Sequence, residues 1–434
     1  MKTHERWLTL AAALALVAAS VPACGDDVVV FGTPTGGAGG STSSTTSSTG
    51  TGGTTSTSSS GTGGVGLTGG TGGTGGWGCE DFLFDAVPTQ RPADIVYVVD
   101  NSCSMNEEIN SIEQNINVNF AQIIQQANID YRVVMVTDHG VGMLDVCIGP
   151  PLGTGNCAGP PGEVTNQFYH YDVNVQSHDS LCIVLDTLHG SNGGGEADQH
   201  GMYPAGWNAA LRPEALKIFV EITDDGIACT HDGNNLNDQD QIAAGQTVAN
   251  TFDPLLLQAA PGQFGTQADR KYRWHAVVGL PHKTNPLEAY APAEPVVLGT
   301  CAGGVAPGTG YQWLAKGTDA LRFPVCQDQN ATFDSLFQDL AADIIGSAML
   351  WCELEVPEDP NGPLDLEKLT VLYTPDGGQT EQWDQVASLA ACGTDDDKFH
   401  IQDNLIKLCP NTCAKVDGGP QGELLLLIPC LWDG

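Results

Sequence analysis

The pattern of apolar and polar positions changes period repeatedly along this chain. Residues 95–99 read Ile95-Val96-Tyr97-Val98-Val99, a continuous apolar run that predicts a buried strand over 94–99. Directly after it, Ile109, Ile112, Ile116, Phe120, Ile123 and Ile124 recur at helical spacing. Further apolar runs of strand length occupy 131–136, 216–222 and 274–278, with a weaker one at 321–323 and a short edge strand predicted at 181–185. Phe333, Leu336, Phe337, Leu340 and Ile344 predict an amphipathic helix over 333–345, and another helix is predicted to begin at 204–211. Long polar or Gly-rich loops fill 140–180, 190–201 and 230–241. Strands that are hydrophobic throughout, alternating with helices, predict an α/β unit with a doubly wound, mostly parallel sheet covered on both faces. It spans about residues 90–347.

The texture changes after residue 347. Short strands are predicted at 354–356, 369–373, 398–401 and 424–428, separated by Pro- and Gly-rich turns. Five cysteines fall in this segment, so 348–434 reads as a small disulfide-rich β domain. At the other end, Lys2 and Arg6 precede an apolar core over 7–19, which marks 1–23 as a signal segment. Val21-Pro22-Ala23-Cys24 resembles a bacterial lipobox, in which Cys24 carries the lipid; the same residues fit a plain secretory cleavage site. Residues 24–78 form a Gly/Ser/Thr-rich stalk that buries no core, and its low-complexity part, 32–76, has a mean reach of about 35–40 Å. The globular part, 79–347, follows.

Charge and cysteine content narrow the function. The chain of 434 residues carries 52 acidic and 16 basic side chains, a formal net charge of -36. No basic face is available for a nucleic-acid backbone, and membrane contact is expected only through an N-terminal lipid. Fourteen cysteines in an exported chain point to disulfides, with no Cys-x2-Cys pair to suggest zinc. Cys301–Cys326 and Cys409-x3-Cys413 have the spacing of local staples, and Cys103 is expected either to pair with Cys229 or to be a small buried thiol.

Two strand ends carry oxygen-rich clusters: Asp100-Asn101-Ser102-Cys103-Ser104 after the first strand, and Thr223-Asp224 after the strand at 216–222. In a parallel sheet both open on the carboxyl edge, where ligands sit. One carboxylate and two hydroxyls at alternate positions suit a hard cation. The alternative is a helix N-cap and turn. Here the chain resembles the von Willebrand factor A domain family, a Rossmann-like fold whose metal-ion-dependent adhesion site combines an Asp-x-Ser-x-Ser loop, a Thr on a second loop and a Thr-Asp pair on a third. The resemblance implies that Ser102 and Ser104 contact Mg2+ (or Mn2+ or Ca2+) through their hydroxyls, and that Asp100 and Asp224 hold it directly or through water. The second loop, Ser191-Asn192-Gly193-Gly194-Gly195-Glu196, offers no Thr, so Glu196 or Ser191 must substitute. The oxygen-rich loop 232–240 lacks EF-hand spacing and reads as a solvated turn, with calcium as the alternative.

No catalytic signature stands out. There is no Gly-x-Ser-x-Gly elbow, Gly317-Thr318-Asp319 has Asp where a subtilisin-like nucleophile turn needs Ser, and the histidines read as surface residues of polar loops. The expectation is therefore a non-enzymatic, exported surface protein that binds a protein or glycan ligand in a cation-dependent way, held at the cell envelope by a lipid anchor or else secreted. Its rivals are a structural envelope lipoprotein with a vestigial metal site and a metal-dependent extracellular hydrolase.

Overall fold

A computed structural model describes residues 82–161, 166–190, 197–326, 333–358, 364–416 and 422–428. The expected signal segment, the stalk, Cys24, Ser191 and Glu196 lie outside these residues.

Six strands form an all-parallel sheet. Their spatial order is Arg322–Pro324, Tyr272–Val278, Leu216–Ile222, Ala93–Val99, Tyr131–Thr137 and Phe168–Asp172. From Ala93–Val99 the chain builds outward to Phe168–Asp172, returns to the middle at Leu216–Ile222, and builds outward the other way. The order reverses between Ala93–Val99 and Leu216–Ile222, which pair directly. Every residue of both strands is buried. Alternate side chains enter two cores: Ile95, Tyr97 and Val99 pack with helices Asn106–Asn115 and Phe333–Ala348, while Val96 and Val98 pack with Ser180–Thr187, Ile242–Ala259 and Thr309–Gly317. In the first core the rings of Tyr97, Phe120 and Phe337 meet at centroid distances of 5.5–6.2 Å; in the second, Phe219 stacks on Trp274 at 4.5 Å.

Two short hairpins stand apart, Ala228–His231 with Asn234–Asn237 and Gly265–Thr266 with Asp269–Arg270, and the other eight strands form a second sheet in the order Phe82–Asp85, Gly422–Ile428, Thr370–Pro375, Glu381–Gln385, Lys398–Gln402, Leu405–Leu408, Met349–Glu355 and Pro88–Gln90. The two ends of this order are neighbours in the chain, with only Ala86 and Val87 between them. Three residue steps reach at most about 11 Å, so the sheet must close on itself. Ala86 N–H donates to the Leu424 carbonyl at 3.1 Å and Glu355 N–H donates to the Val87 carbonyl at 2.8 Å, which continues the ladders across the gap. Val371, Trp383, Phe399, Ile406, Leu426 and Ile428 fill the interior. The closing segment leads straight into the parallel sheet through Arg91. Helix Phe333–Ala348 has no basic residue in its last turn, and Arg91 supplies one from outside by donating to the Ser347 carbonyl at 3.1 Å.

Several expectations change. Residues 181–185, expected as a strand, lie in helix Ser180–Thr187; the run is buried all round, and periodicity alone does not separate a buried helix from a buried strand. The outermost parallel strand is instead Phe168–Asp172, inside the segment expected to be loop. Residues 204–211 hold only a short 3-10 turn, Trp207–Ala210. The 18-residue helix Ile242–Ala259 was not expected, since Gly245 and Pro254 interrupt its pattern. Among the described residues, disulfides join Cys147–Cys157, Cys182–Cys229, Cys301–Cys326, Cys352–Cys413 and Cys392–Cys409. The Cys301–Cys326 staple is as expected. Cys229 pairs with Cys182 rather than Cys103, which is itself disulfide-bonded, and Cys409 and Cys413 each bond a different partner.

Closure of the second sheet is testable. A chain beginning at Pro92 leaves the Gly422–Ile428 and Met349–Glu355 edges without the partners that cover them. We expect concentration-dependent self-association in light scattering, because open edges recruit other strands. A monodisperse truncated chain with native melting would contradict the closure.

Candidate functional site

The site begins with a buried carboxylate. Asp100 ends the central strand with no exposure, and its backbone N–H donates to the Ile222 carbonyl at 3.0 Å. Its carboxylate accepts the Ser102 N–H at 2.8 Å and the Thr223 hydroxyl at 2.8 Å. These bonds turn the chain sharply after Asp100 and clamp the two strand ends together. Asn101 fixes the turn from the other side: its N–H donates to the Val175 carbonyl at 2.9 Å and its side-chain oxygen accepts the Val175 N–H at 2.6 Å. Met105, fully buried, anchors the start of helix Asn106–Asn115.

This geometry brings the hydroxyls to the second strand end. Ser102 Oγ and Ser104 Oγ lie 3.2 Å apart, and Ser104 Oγ donates to Asp224 Oδ1 at 3.0 Å. Adjacent oxygens around an octahedral Mg2+, each at 2.0–2.1 Å, are separated by about 2.9 Å. The 3.2 and 3.0 Å separations from Ser104 to Ser102 and to Asp224 are close to that edge length, and the donor set suits a hard cation. The loop after Tyr272–Val278 closes over Asp224, whose carbonyl accepts the N–H groups of Val305 at 2.8 Å and Ala306 at 2.9 Å. Gly279 permits that approach, because a Cβ there would lie 2.2 Å from the Ala306 carbonyl oxygen.

The electrostatics are those of crowded acids. Burial raises Asp100 above the ordinary carboxylate range, against the lowering effect of its Ser102 and Thr223 hydrogen bonds. Burial also raises Asp224, with the charge of Asp100 adding to it, and raises Asp225. Glu108, one turn along the helix, is pushed up to about 7 by burial and then by the charges of Asp224, Glu107 and Asp100. Beneath the site on the Leu216–Ile222 strand, fully buried Glu221 is raised well above the usual range by burial.

Asp100, Ser102, Ser104 and Asp224 are thus brought together, and Thr223 joins them as the donor that fixes Asp100. The second-loop position, Glu196 or Ser191, lies outside the described residues. The segment 232–240 proves to hold the hairpin turn Asp232-Gly233, the strand Asn234–Asn237, which pairs with Ala228–His231, and the turn after it. Its Asp238 is buried and accepts the Ile227 N–H at 3.2 Å, the Gly310 N–H at 3.0 Å and the Thr309 hydroxyl at 3.1 Å. That carboxylate caps helix Thr309–Gly317 and is not a solvated one.

Two groups were not anticipated. His139, just after Tyr131–Thr137, and His170, in the middle of Phe168–Asp172, were expected at the surface but are buried, with ring centroids 4.9 Å apart. Burial, and then His139, pull His170 down to about 3. The burial of His170 follows from the unrecognised strand Phe168–Asp172, whose sequence signal is its cluster of three aromatic residues. Cys392, His400 and Cys409 also cluster with metal-ligand spacing, but both cysteines are consumed by their mutual disulfide. Comparison with protein-family profiles and with curated protein sequences finds no match.

The raised acids set a pH dependence. Glu108 holds a proton in the fold between its ordinary value near 4.5 and about 7, a window in which the unfolded chain has released it. Its contribution is therefore fully present below the lower value and is lost as pH rises through the upper one. Relative to Glu108→Gln, the cation-free protein should lose on the order of 2 kcal/mol between pH 4.5 and 7.5, allowing for solvent screening. Urea unfolding across that range measures it; equal pH slopes for the two proteins would remove Glu108 from this account.

Proposed function

We propose that this is an exported, cation-dependent binding protein with a doubly wound, von Willebrand factor A-like unit, displayed at a bacterial cell envelope through a lipid on Cys24. The ligand is a protein or glycan met at the cell surface, and the role is adhesion or envelope assembly without turnover. The observation that carries this reading is the convergence of Ser102 Oγ, Ser104 Oγ and Asp224 Oδ1, separated by 3.2 and 3.0 Å, at the reversal of strand order.

Ser102, Ser104 and Asp224 would hold Mg2+, Mn2+ or Ca2+, with Asp100 behind them fixing the turn and Glu196 as the candidate second-loop ligand. When bound, such a cation supplies an open coordination position for a partner's carboxylate or other anionic oxygen. The protein's own residues do the rest. Asp100 orients Ser102 through its backbone N–H, Thr223 ties the two strand ends, and the Val305–Ala306 backbone holds Asp224 in place. A crowd of acids that burial keeps above their ordinary range also favours a cation, because positive charge relieves their mutual repulsion.

Thermal unfolding with and without each cation tests the reading. At a hundredfold excess over Kd, a single site adds about 2.7 kcal/mol of stability. We expect Mg2+, Mn2+ or Ca2+ to raise the Tm of the native chain, and Ser104→Ala and Asp224→Asn each to abolish the rise. No rise with any of the three, or a rise that survives both substitutions, would overturn the site.

A further inference from the structure

The chain presents apolar side chains next to this acidic turn. Val141 is 76 % exposed and Met143 72 % exposed, the two most exposed large hydrophobic residues among those described. Both stand on the loop that leaves the carboxyl end of Tyr131–Thr137, on the same edge as the candidate cation site. With Asn106, Ile109 and the Cys147–Cys157 bridge they line a cavity of about 460 Å³ between that loop and helix Asn106–Asn115.

The loop is held open rather than loose. Asp145 Oδ2 accepts the Gly142 N–H at 2.7 Å, across the tip that carries Val141 and Met143. Glu113 Oε1 accepts the Cys147 N–H at 2.6 Å, which docks the loop onto the helix. The His139 ring contacts the carbonyls of Val146, Asn156 and Gly159 from beneath. The exposed Val141 and Met143 are therefore presented on a braced scaffold, and an unbranched Met adapts readily to varied apolar partners.

We propose that this groove binds an apolar side chain of a protein ligand whose carboxylate reaches the cation at Ser102, Ser104 and Asp224; the proposal rests on the cation-site reading above. Three observations select that occupant. The groove is continuous with the turn, since Asn106 follows Ser104 by two residues on the same helical path. Among the described residues its apolar wall is aliphatic and sulfur-bearing, without an aromatic ring on which a sugar would stack, which favours a peptide segment over a glycan. Its flanks carry Glu107, Glu113 and Asp145 in a chain of net charge -36, so the segment is basic around its carboxylate. From Ser104 to Ile109 the helix rises about 8 Å, which an extended peptide covers in about two to three residues.

A displayed peptide library with a fixed central Asp and randomised flanks, selected on the full chain in Mg2+, tests this. Expected is enrichment of Met, Leu or Ile two to three residues from the Asp, with Lys or Arg nearby. The corresponding synthetic peptide should lose binding in chelator, and lose affinity at least about tenfold with Met143→Asp or Val141→Asp. The Mg2+-induced rise in Tm should be unchanged in both variants. If that rise is absent from the native chain, the cation reading fails. If it persists but the selected peptides show no apolar position, or bind Met143→Asp as they bind the native chain, the groove proposal is overturned. Mg2+-dependent binding to a glycan array, with no peptide enriched, would overturn it as well.

Discussion

The carboxylate of Asp100 has no access to water, so its hydrogen bonds must come from the protein. Satisfying it determines much of what surrounds it. The Ser102 N–H reaches it only if the chain turns immediately after the strand, and the Thr223 hydroxyl reaches it only if two strands more than a hundred residues apart in sequence end side by side. With both bonds formed, the turn brings the Ser104 hydroxyl against Asp224. The position of the site at the reversal of strand order and the hydrogen bonding of one buried acid are thus two descriptions of the same constraint.

The cost of this arrangement is electrostatic. Asp100, Asp224, Asp225 and Glu108 share a small volume, and each is raised by burial before any neighbour's charge is counted. Polar hydrogens offset part of the penalty at Asp100 and at Asp224. Asp238 faces a helix N-terminus instead, where Gly310 N–H and the Thr309 hydroxyl both donate to it, so that carboxylate is structural although its sequence context is just as oxygen-rich. The distinction between the two loops lies in what faces each acid and not in residue type.

That distinction explains which parts of the fold were legible in the sequence. The central strands Ala93–Val99, Leu216–Ile222 and Tyr272–Val278 carry long apolar runs, and the turn residues after them are read directly. Asp100, Ser102, Ser104 and Asp224 could be grouped because each sits within a few residues of such a run. Phe168–Asp172 was missed because it carries His170 and Tyr169 in place of aliphatic residues, and Ser180–Thr187 was misread because an apolar run of five fits either geometry. Disulfide pairing depends on tertiary placement: Cys301–Cys326 agrees with its spacing, but Cys409 and Cys413, equally suggestive by spacing, bond other partners, and Cys182–Cys229 carries no spacing signal. The closure of the second sheet depends on Phe82–Asp85 and Pro88–Gln90, two short strands before the first long apolar run, whose partners lie hundreds of residues away.

The closing segment has a mechanical consequence. The chain that seals the second sheet continues without a break through Arg91 into the central parallel strand and ends at Asp100. Tension between the two ends of this stretch runs along one covalent path. At its start it meets the antiparallel ladder with Gly422–Ile428, and along Ala93–Val99 it is shared with the neighbours on both sides. Ladders loaded along their strands resist together, since many hydrogen bonds must shear at once rather than part singly. The same residues that close the sheet therefore form a stiff line between the leading end of the described chain and its acid–hydroxyl edge.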